Sequence, residues 1–446
     1  MNIGRLSWPR LCAYSALAMP LSIIGLPLSI YLAPFYAGQM GLPLALVGTA
    51  MLLARFSDIV TDPLIGMISD SWQTRIGRRR PWVLIGVPAL AASVWMLFHP
   101  ISNTLGNFVF WLSLTYFSFT ALQLPHQAWG AELSGRYEER SRITSSRQAF
   151  SIAGLIASTV IPALVMRHAG ASSGQVLHAL ALLMLVLLPL CGVPLLIFVP
   201  EPAVHATSDA KRIPLRRTLR QLWRNAPYRR LIIVLLLGYT AETFRITITL
   251  FFAQNIVGLT NVGVIFVPYF IAGFVFLPFW GWFGNRIGKH RALAVAFAAV
   301  ALSTMAMFTL HHGQIMAFTA LFLVKGLCYG SLELLPQSMM ADTADVDSVM
   351  SRRRRQGQLF AASLMVVKFG QALGQFLSLG LLSLVGYHAS GANDASALLW
   401  LRIAYCVVPP LILGTLVPLL WAYPLTSLRH RRFQAFVDRK FALHQA

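Results

Sequence analysis

The feature that most constrains this chain is the recurrence of apolar stretches long enough to cross a lipid bilayer, which takes about 20 residues of helix. Twelve such stretches can be counted, with approximate cores at 11–35, 45–68, 81–102, 106–133, 145–166, 176–199, 229–254, 261–283, 290–310, 315–340, 357–387 and 399–423. Across 446 residues, 57% hydrophobic and 11% charged composition is too apolar for a water-soluble fold. The fold class expected is therefore an all-α polytopic membrane protein with twelve transmembrane helices. The longest polar stretch lies between the sixth and seventh spans and divides the chain six plus six. This predicts an N-terminal six-helix bundle (1–200), a linker (201–228), a C-terminal six-helix bundle (229–423) and a basic tail (424–446). The opening segment has basic residues before an apolar run that is too long for a secretory signal, so it reads as an uncleaved first helix.

The net charge of +21 would suggest nucleic acid in a soluble domain. Here the basic residues sit in short loops between spans, which is a topology signal, and no nucleic-acid partner is expected. Arg75, Arg78, Arg79 and Arg80, then Arg136, Arg140 and Arg142, the central linker, Arg286, Lys289 and Arg291, and Arg352 to Arg355 fall on one side together with both basic termini. Opposite loops hold Arg167 as their lone basic residue. Basic residues are retained on the cytoplasmic side, so both termini are expected there, in a cell inner membrane. Cys12, Cys191, Cys328 and Cys406 lie in apolar spans without ligand spacing and read as small core residues. Neither a cofactor nor a firm metal site is expected.

Charges inside the spans are costly, about 2.5–3.5 kcal/mol each at the bilayer centre on insertion scales. The second span carries Arg55, Asp58 and Asp62 at i, i+3 and i+7, which stacks them on one helical face toward protein or a wet cavity. Two carboxylates for one nearby arginine leave spare negative charge, which favours a cation or proton site over a purely structural pair. Glu242 and Arg245 can pair at i, i+3 on the seventh span. Lys325 and Glu333 lie on the tenth, and Lys368, Gln371 and Gln375 form a polar stripe on the eleventh. These charges either neutralise one another, or Lys368 or Arg245 meets a polar or anionic part of a substrate near the midplane. Trp129, Tyr31, Phe35 and Tyr239 are candidates to line a cavity. Pro20, Pro27 and Pro34 place three potential kinks on one face of the first helix.

The motif RIG followed by basic residues occurs after the second span (Arg75–Gly77) and again after the eighth (Arg286–Gly288). Duplicated six-helix halves are the plan of major facilitator transporters. A loop of this kind can act as a gating latch, its arginines pairing with carboxylates or helix C-termini in one state and releasing in another. Asp70, Arg75, Arg78, Arg79, Arg142, Asp342 and Asp345 are the candidates.

The stretch RFSDIVTDPLIGMISDSWQTRIGRRRPW resembles the signature of the glycoside-pentoside-hexuronide:cation symporters, the melibiose permease branch of the major facilitator superfamily. Three further segments agree in order: LPHQAWGAELS, ERSRITSSRQAFSIAG, and LPQSMMADTADVD followed by MVVKFG. The resemblance implies that Asp58, Asp62 and Lys368 serve cation or proton coupling and that Arg147 serves substrate binding. The branch's first-helix sugar-binding Asp falls on Ser22 and its fourth-helix Asp on Gln123. Ser22 is thereby a candidate substrate contact and Gln123 a candidate member of the coupling site, with Trp129, Tyr31, Arg245 and Gln371 as further substrate candidates. Losing two carboxylates weakens a compact sodium site, because hard cations want several oxygens, whereas a proton needs one carboxylate. H+ is favoured over Na+, with Na+ at Asp58 and Asp62 the alternative. The expected protein is a monomeric secondary transporter of a small glycoside-like solute. The alternatives are a carrier of an amphipathic lipid such as a lysophospholipid and a non-transporting sensor or assembly factor. An enzyme is not expected, since no phosphate loop, metal spacing or nucleophile–base motif is present.

Overall fold

The computed structural model describes residues 6–72, 74–134, 137–166, 172–201, 225–259, 261–351, 356–389, 391 and 393–424. These form α1 (Trp8–Ile30), α2 (Leu44–Ser71), α3 (Arg80–Phe98), α4 (Leu105–Glu132), α5 (Tyr137–Val165), α6 (Ser173–Phe198), α7 (Ala226–Phe252), α8 (Gly263–Val275 with Leu277–Ile287), α9 (Lys289–Ala306), α10 (Ile315–Ser351), α11 (Gln356–Leu384) and α12 (Ala395–Trp421). Eleven are long and apolar enough to cross a membrane, and α8, bent by 45°, supplies a twelfth crossing. A helix is the natural form for such segments, since lipid offers no partner for the backbone and each helix bonds its own peptide groups.

The breaks follow from proline. The second piece of α8 starts at Leu277 with Pro278 in its first turn, and α12 breaks at Val407 before Pro409 and Pro410. A proline removes one ladder hydrogen bond and crowds the preceding carbonyl. Helix starts are capped from the sequence: Thr104 and Asn225 accept backbone N–H groups of α4 and α7, and Ser172 with Gln175 forms a capping box on α6.

Helix packing repeats after a shift of six. Within the N-terminal half α1 packs on α5, α2 on α4, and α3 on α4 and α6. Within the C-terminal half α7 packs on α11, α8 on α10, and α9 on α10 and α12. Between the halves α2 meets α11 and α5 meets α8, two contacts that the same shift interchanges, while α1 meets α7. The weak sequence repeat is therefore a repeat of architecture. Its two RIG glycines do the same job, because Gly77 (φ 120°) and Gly288 (φ 100°) both adopt positive φ at the reversals into α3 and α9. Such angles favour glycine, and a Cβ on Gly77 would also fall 2.4 Å from Glu201 Cδ.

One apolar core runs through the N-terminal half and across to the C-terminal half at the end away from the basic loops. There Gly48 of α2 lies against Phe376 and Leu379 of α11, and Gly263 of α8 against Pro162 and Ala163 of α5. Near the basic loops the C-terminal half has a separate core around Trp280, Leu293, Leu335 and Leu416. Among the described residues, apolar core thus joins the halves at the end opposite the basic loops.

Candidate functional site

The residues singled out on α2 meet the lysine of α11. Lys368 Nζ lies 2.5 Å from Asp62 Oδ2 and 3.3 Å from Asp58 Oδ2, and Arg55 Nη1 lies 3.3 Å from the same Asp58 oxygen. The Arg55 guanidinium also sits over the Tyr116 ring of α4, 4.1 Å from its centroid. Asp58 is 1% exposed, whereas Lys368 keeps 23% of its side-chain surface. Phe56 and Phe369 stack edge to face beside the cluster. This is an ion-pair bridge between the two halves, and it sits where α2 and α11 run side by side.

Counting charge changes the reading of the sequence. Asp58 and Asp62 carry two negative charges, and Arg55 with Lys368 carries two positive ones, so the spare negative charge expected on α2 is absorbed by Lys368. An added cation must therefore compete with the ammonium. One oxygen on each carboxylate, Asp58 Oδ1 and Asp62 Oδ1, is buried without a hydrogen-bond partner, as is Thr61 Oγ1. No group of three or more His, Cys, Asp or Glu side chains able to hold a metal ion occurs among the described residues.

Gln123 on α4 is half-buried, and no hydrogen bond or ion pair joins it to this cluster. Ser22 of α1 hydrogen-bonds Ser151 of α5, Oγ to Oγ 2.5 Å. Arg147 lies one turn before Ser151 and is half-buried, with no ion pair among the described residues. Gln371, half-buried, follows Lys368 by three residues on α11. Ser22 and Arg147 of the N-terminal half, and Lys368 and Gln371 of the C-terminal half, are thus partly exposed side chains.

Two expected substrate contacts do not occupy such a position. Trp129 is 0% exposed, and its Nε1–H donates to the Pro200 carbonyl at 3.0 Å, which fastens α4 to the end of α6. Tyr31 is buried in the core that joins the halves. Neither ring is presented to a solute in this conformation. Phe35 is likewise buried, and Tyr239 donates to Glu333 at 3.5 Å. Arg245 is enclosed within the C-terminal half, 2.5 Å from Glu242 Oε1.

The expected gating arginines Arg78 and Arg79 make a clamp inside the N-terminal half. Arg79, 1% exposed, donates from Nη2 to Glu132 Oε1 at 2.6 Å and from Nη1 to Ser69 Oγ at 3.0 Å. Arg78 Nη2 reaches the same Glu132 oxygen at 2.6 Å. The backbone N–H groups of Arg78 and Arg79 both donate to Glu201 Oε1, each at 2.6 Å. Burial alone would raise the Glu132 carboxyl, but the hydrogen bonds and charges of Arg79 and Arg78 outweigh it and hold the group below the ordinary carboxylate range. The second half repeats the device more simply, with Lys289 Nζ 2.6 Å from Asp342 Oδ2. Arg142 pairs with Glu139 at 3.0 Å and donates to the Leu6 carbonyl at 3.0 Å, tying the start of α1 to α5. Arg75 is exposed. The side chains of Asp70 and Asp345, and residues Arg352 to Arg355, lie outside those described. The ion pairs given above for these loops therefore lie within one half, whereas Lys368 with Asp58 and Asp62 spans the halves. Glu132 and Glu201, which hold the first clamp, were not among the sequence candidates. The signal for Glu132 was its place in LPHQAWGAELS.

Twelve crossings in two equivalent halves, linked by an intramembrane ion pair, define a membrane transporter of the major facilitator class. Residues 13–427 match the family described as MFS/sugar transport protein, and the chain belongs to that family. The inner membrane symporter YicJ of Escherichia coli (strain K12) is 24% identical over 401 residues, covering 86% of this chain and 84% of that protein. The isoprimeverose transporter of Lactiplantibacillus pentosus is 26% identical over 429 residues, covering 90% and 85%. Among solved structures, a point mutant of the nucleoside transporter NupG superposes with a TM-score of 0.70 at 14% identity, covering 93% of this chain and 99% of that one.

Proposed function

We propose that this protein is a symporter that carries a neutral sugar or glycoside with a proton, by alternating access of its two halves. The observation that carries the reading is Lys368 of the C-terminal half bridging Asp58 and Asp62 of the N-terminal half, a link that a coupling cation can replace. A proton arriving on Asp62 removes the charge that holds the ammonium at 2.5 Å. Lys368, already 23% exposed, then turns toward water, and α2 and α11 are freed to shift against each other. A solute contacting Ser22 and Arg147 on one half, and Gln371 on the other, binds best when the halves close around it. One relative named as a symporter and another named as an isoprimeverose transporter support a sugar-like cargo and a coupling cation.

Proton rather than sodium coupling rests on ligand number. Two carboxylates and one threonine hydroxyl are few oxygens for a hard cation, while protonation needs a single oxygen. In this reading the arginine-rich face is cytoplasmic, the protein lies in an inner membrane, and the described conformation has its halves packed together at the opposite face.

The test is thermal unfolding of purified protein in detergent against a panel of glycosides, uronides and lysophospholipids, at several pH values with and without Na+. A ligand that binds only the folded state at 100 times its dissociation constant adds about 2.7 kcal/mol. Stabilisation by a glycoside, unchanged by Na+ and dependent on pH, is the expected result. Stabilisation by lysophospholipid alone overturns the cargo, and a requirement for Na+ overturns the coupling ion.

A further inference from the structure

Within the C-terminal half, α7, α8, α9, α10 and α12 enclose a second charged centre apart from the α2–α11 bridge. Its cavity of ≈ 20 Å³ is lined by Glu242, Arg245, Tyr269, Lys325 and Tyr329, with apolar walls beyond. About 10–15 Å³ is enough to hold one water, so a monatomic ion fits.

The charges here do not balance. Arg245 and Glu242 form one pair, and the Tyr269 hydroxyl donates to Glu242 Oε1 at 3.2 Å. Lys325 is 1% exposed and has no carboxylate at ion-pair distance among the described residues. Its Nζ instead donates to the Tyr405 hydroxyl at 3.1 Å and to Met307 Sδ at 3.3 Å, and it lies 4.8 Å from the centroid of the Phe322 ring. Arg245, 2% exposed, keeps Nε and Nη1 buried without hydrogen-bond partners. Glu333, two turns further along α10, accepts from Tyr239 and does not line the cavity. Glu242, Arg245 and Lys325 thus all line this small void, two cations to one carboxylate, and two guanidinium nitrogens are left without a hydrogen-bond partner. A cation site is excluded by sign. A neutral lysine would restore the charge balance and still leave the Arg245 donors unpaired.

We infer that this cavity binds one small monovalent anion between Arg245 and Lys325, with chloride as its representative. The anion supplies the missing negative charge and accepts the free guanidinium donors, and in doing so it ties α7 to α10. The inference is independent of how the α2–α11 bridge is used.

The test is thermal unfolding of the full chain in detergent, with sodium chloride replaced stepwise by sodium gluconate at constant Na+ and ionic strength. Gluconate is a bulky organic anion of the same charge. A saturable rise in melting temperature with chloride, reproduced by bromide, is the expected result. Lys325→Met should abolish the dependence, and Arg245→Lys, which keeps the charge and loses the planar fork, should raise the half-effect concentration about tenfold. Stabilisation by formate or acetate and not by chloride or bromide overturns the assignment to a monatomic anion. Identical melting in chloride, bromide, acetate and gluconate overturns the proposal in the wild-type protein alone. A chloride effect of equal size in both variants overturns it equally.

Discussion

Replacing Lys368 by methionine tests whether the bridge between the halves is held by charge. The substitution keeps most of the unbranched apolar stem and removes the ammonium, leaving Asp58 and Asp62 with Arg55 and a net charge of −1. Unit charges 2.5 Å apart attract by about 6–7 kcal/mol at an effective dielectric near 20. Desolvation of the ions offsets much of that, and the 23% exposure of Lys368 screens more, so a net coupling of about 2–3 kcal/mol is expected. The diagnostic is a double-mutant cycle with Asp62→Asn. In K368M/D62N the remaining Arg55–Asp58 pair is balanced again, and the double variant should be more stable than K368M by about 2 kcal/mol. Denaturant unfolding in a fixed detergent, followed by the loss of helical circular dichroism, measures all four proteins. Additive single effects, with the double variant less stable than either single one, would refute the charge argument.

Other consequences follow from particular contacts. Asp58→Asn should cost about 3–5 kcal/mol, more than Asp62→Asn, because Asp58 is 1% exposed and bonded by both cations; the ranking is read from the same unfolding curves. Glu132→Gln should destabilise by about 1–3 kcal/mol by leaving Arg79 partly unpaired. Because the Glu132 carboxyl is depressed on folding, the stability it adds is fully present above the unfolded carboxylate range and is lost as pH falls through the depressed value. Melting of wild type against E132Q should therefore converge on acidification. Trp129→Phe should cost about 1 kcal/mol through the lost Pro200 bond and leave solute affinity unchanged by equilibrium binding. Gly154→Ala should destabilise α1–α5 packing strongly, since the added Cβ would fall 2.2 Å from the Met19 carbonyl oxygen, and size-exclusion yield will show it.

Much of the architecture was legible because a bilayer imposes one length scale on every crossing, and the six-plus-six division followed from the polar linker. The α2 cluster was legible for a related reason: an ionised group in a span has few places to point, and i, i+3, i+7 spacing puts Arg55, Asp58 and Asp62 on one face. The side-chain orientation of aromatic residues was not legible. In a soluble helix the apolar face marks the core, but in a membrane helix lipid and core are both apolar, so nothing in the sequence separates Trp129 facing a cavity from Trp129 facing α6. Partner choice among charges was not legible for another reason. Arg79 could pair across the halves or within one, and only the fold brings Glu132 and Glu201 to it. The neutrality of the α2 site was not legible from residue spacing, since it depends on a lysine 306 residues away in sequence, which only the family resemblance had grouped with Asp58 and Asp62.

The most direct test of the account is uptake into proteoliposomes of whichever glycoside stabilises the protein, driven in turn by an inward proton gradient and by an inward Na+ gradient, for wild type, D62N and K368M. The account predicts uptake driven by the proton gradient in wild type, no response to Na+, and loss of gradient-driven accumulation in both variants. Accumulation driven by the proton gradient that persists in D62N and K368M would show that the bridge between the halves is not where the coupling ion acts.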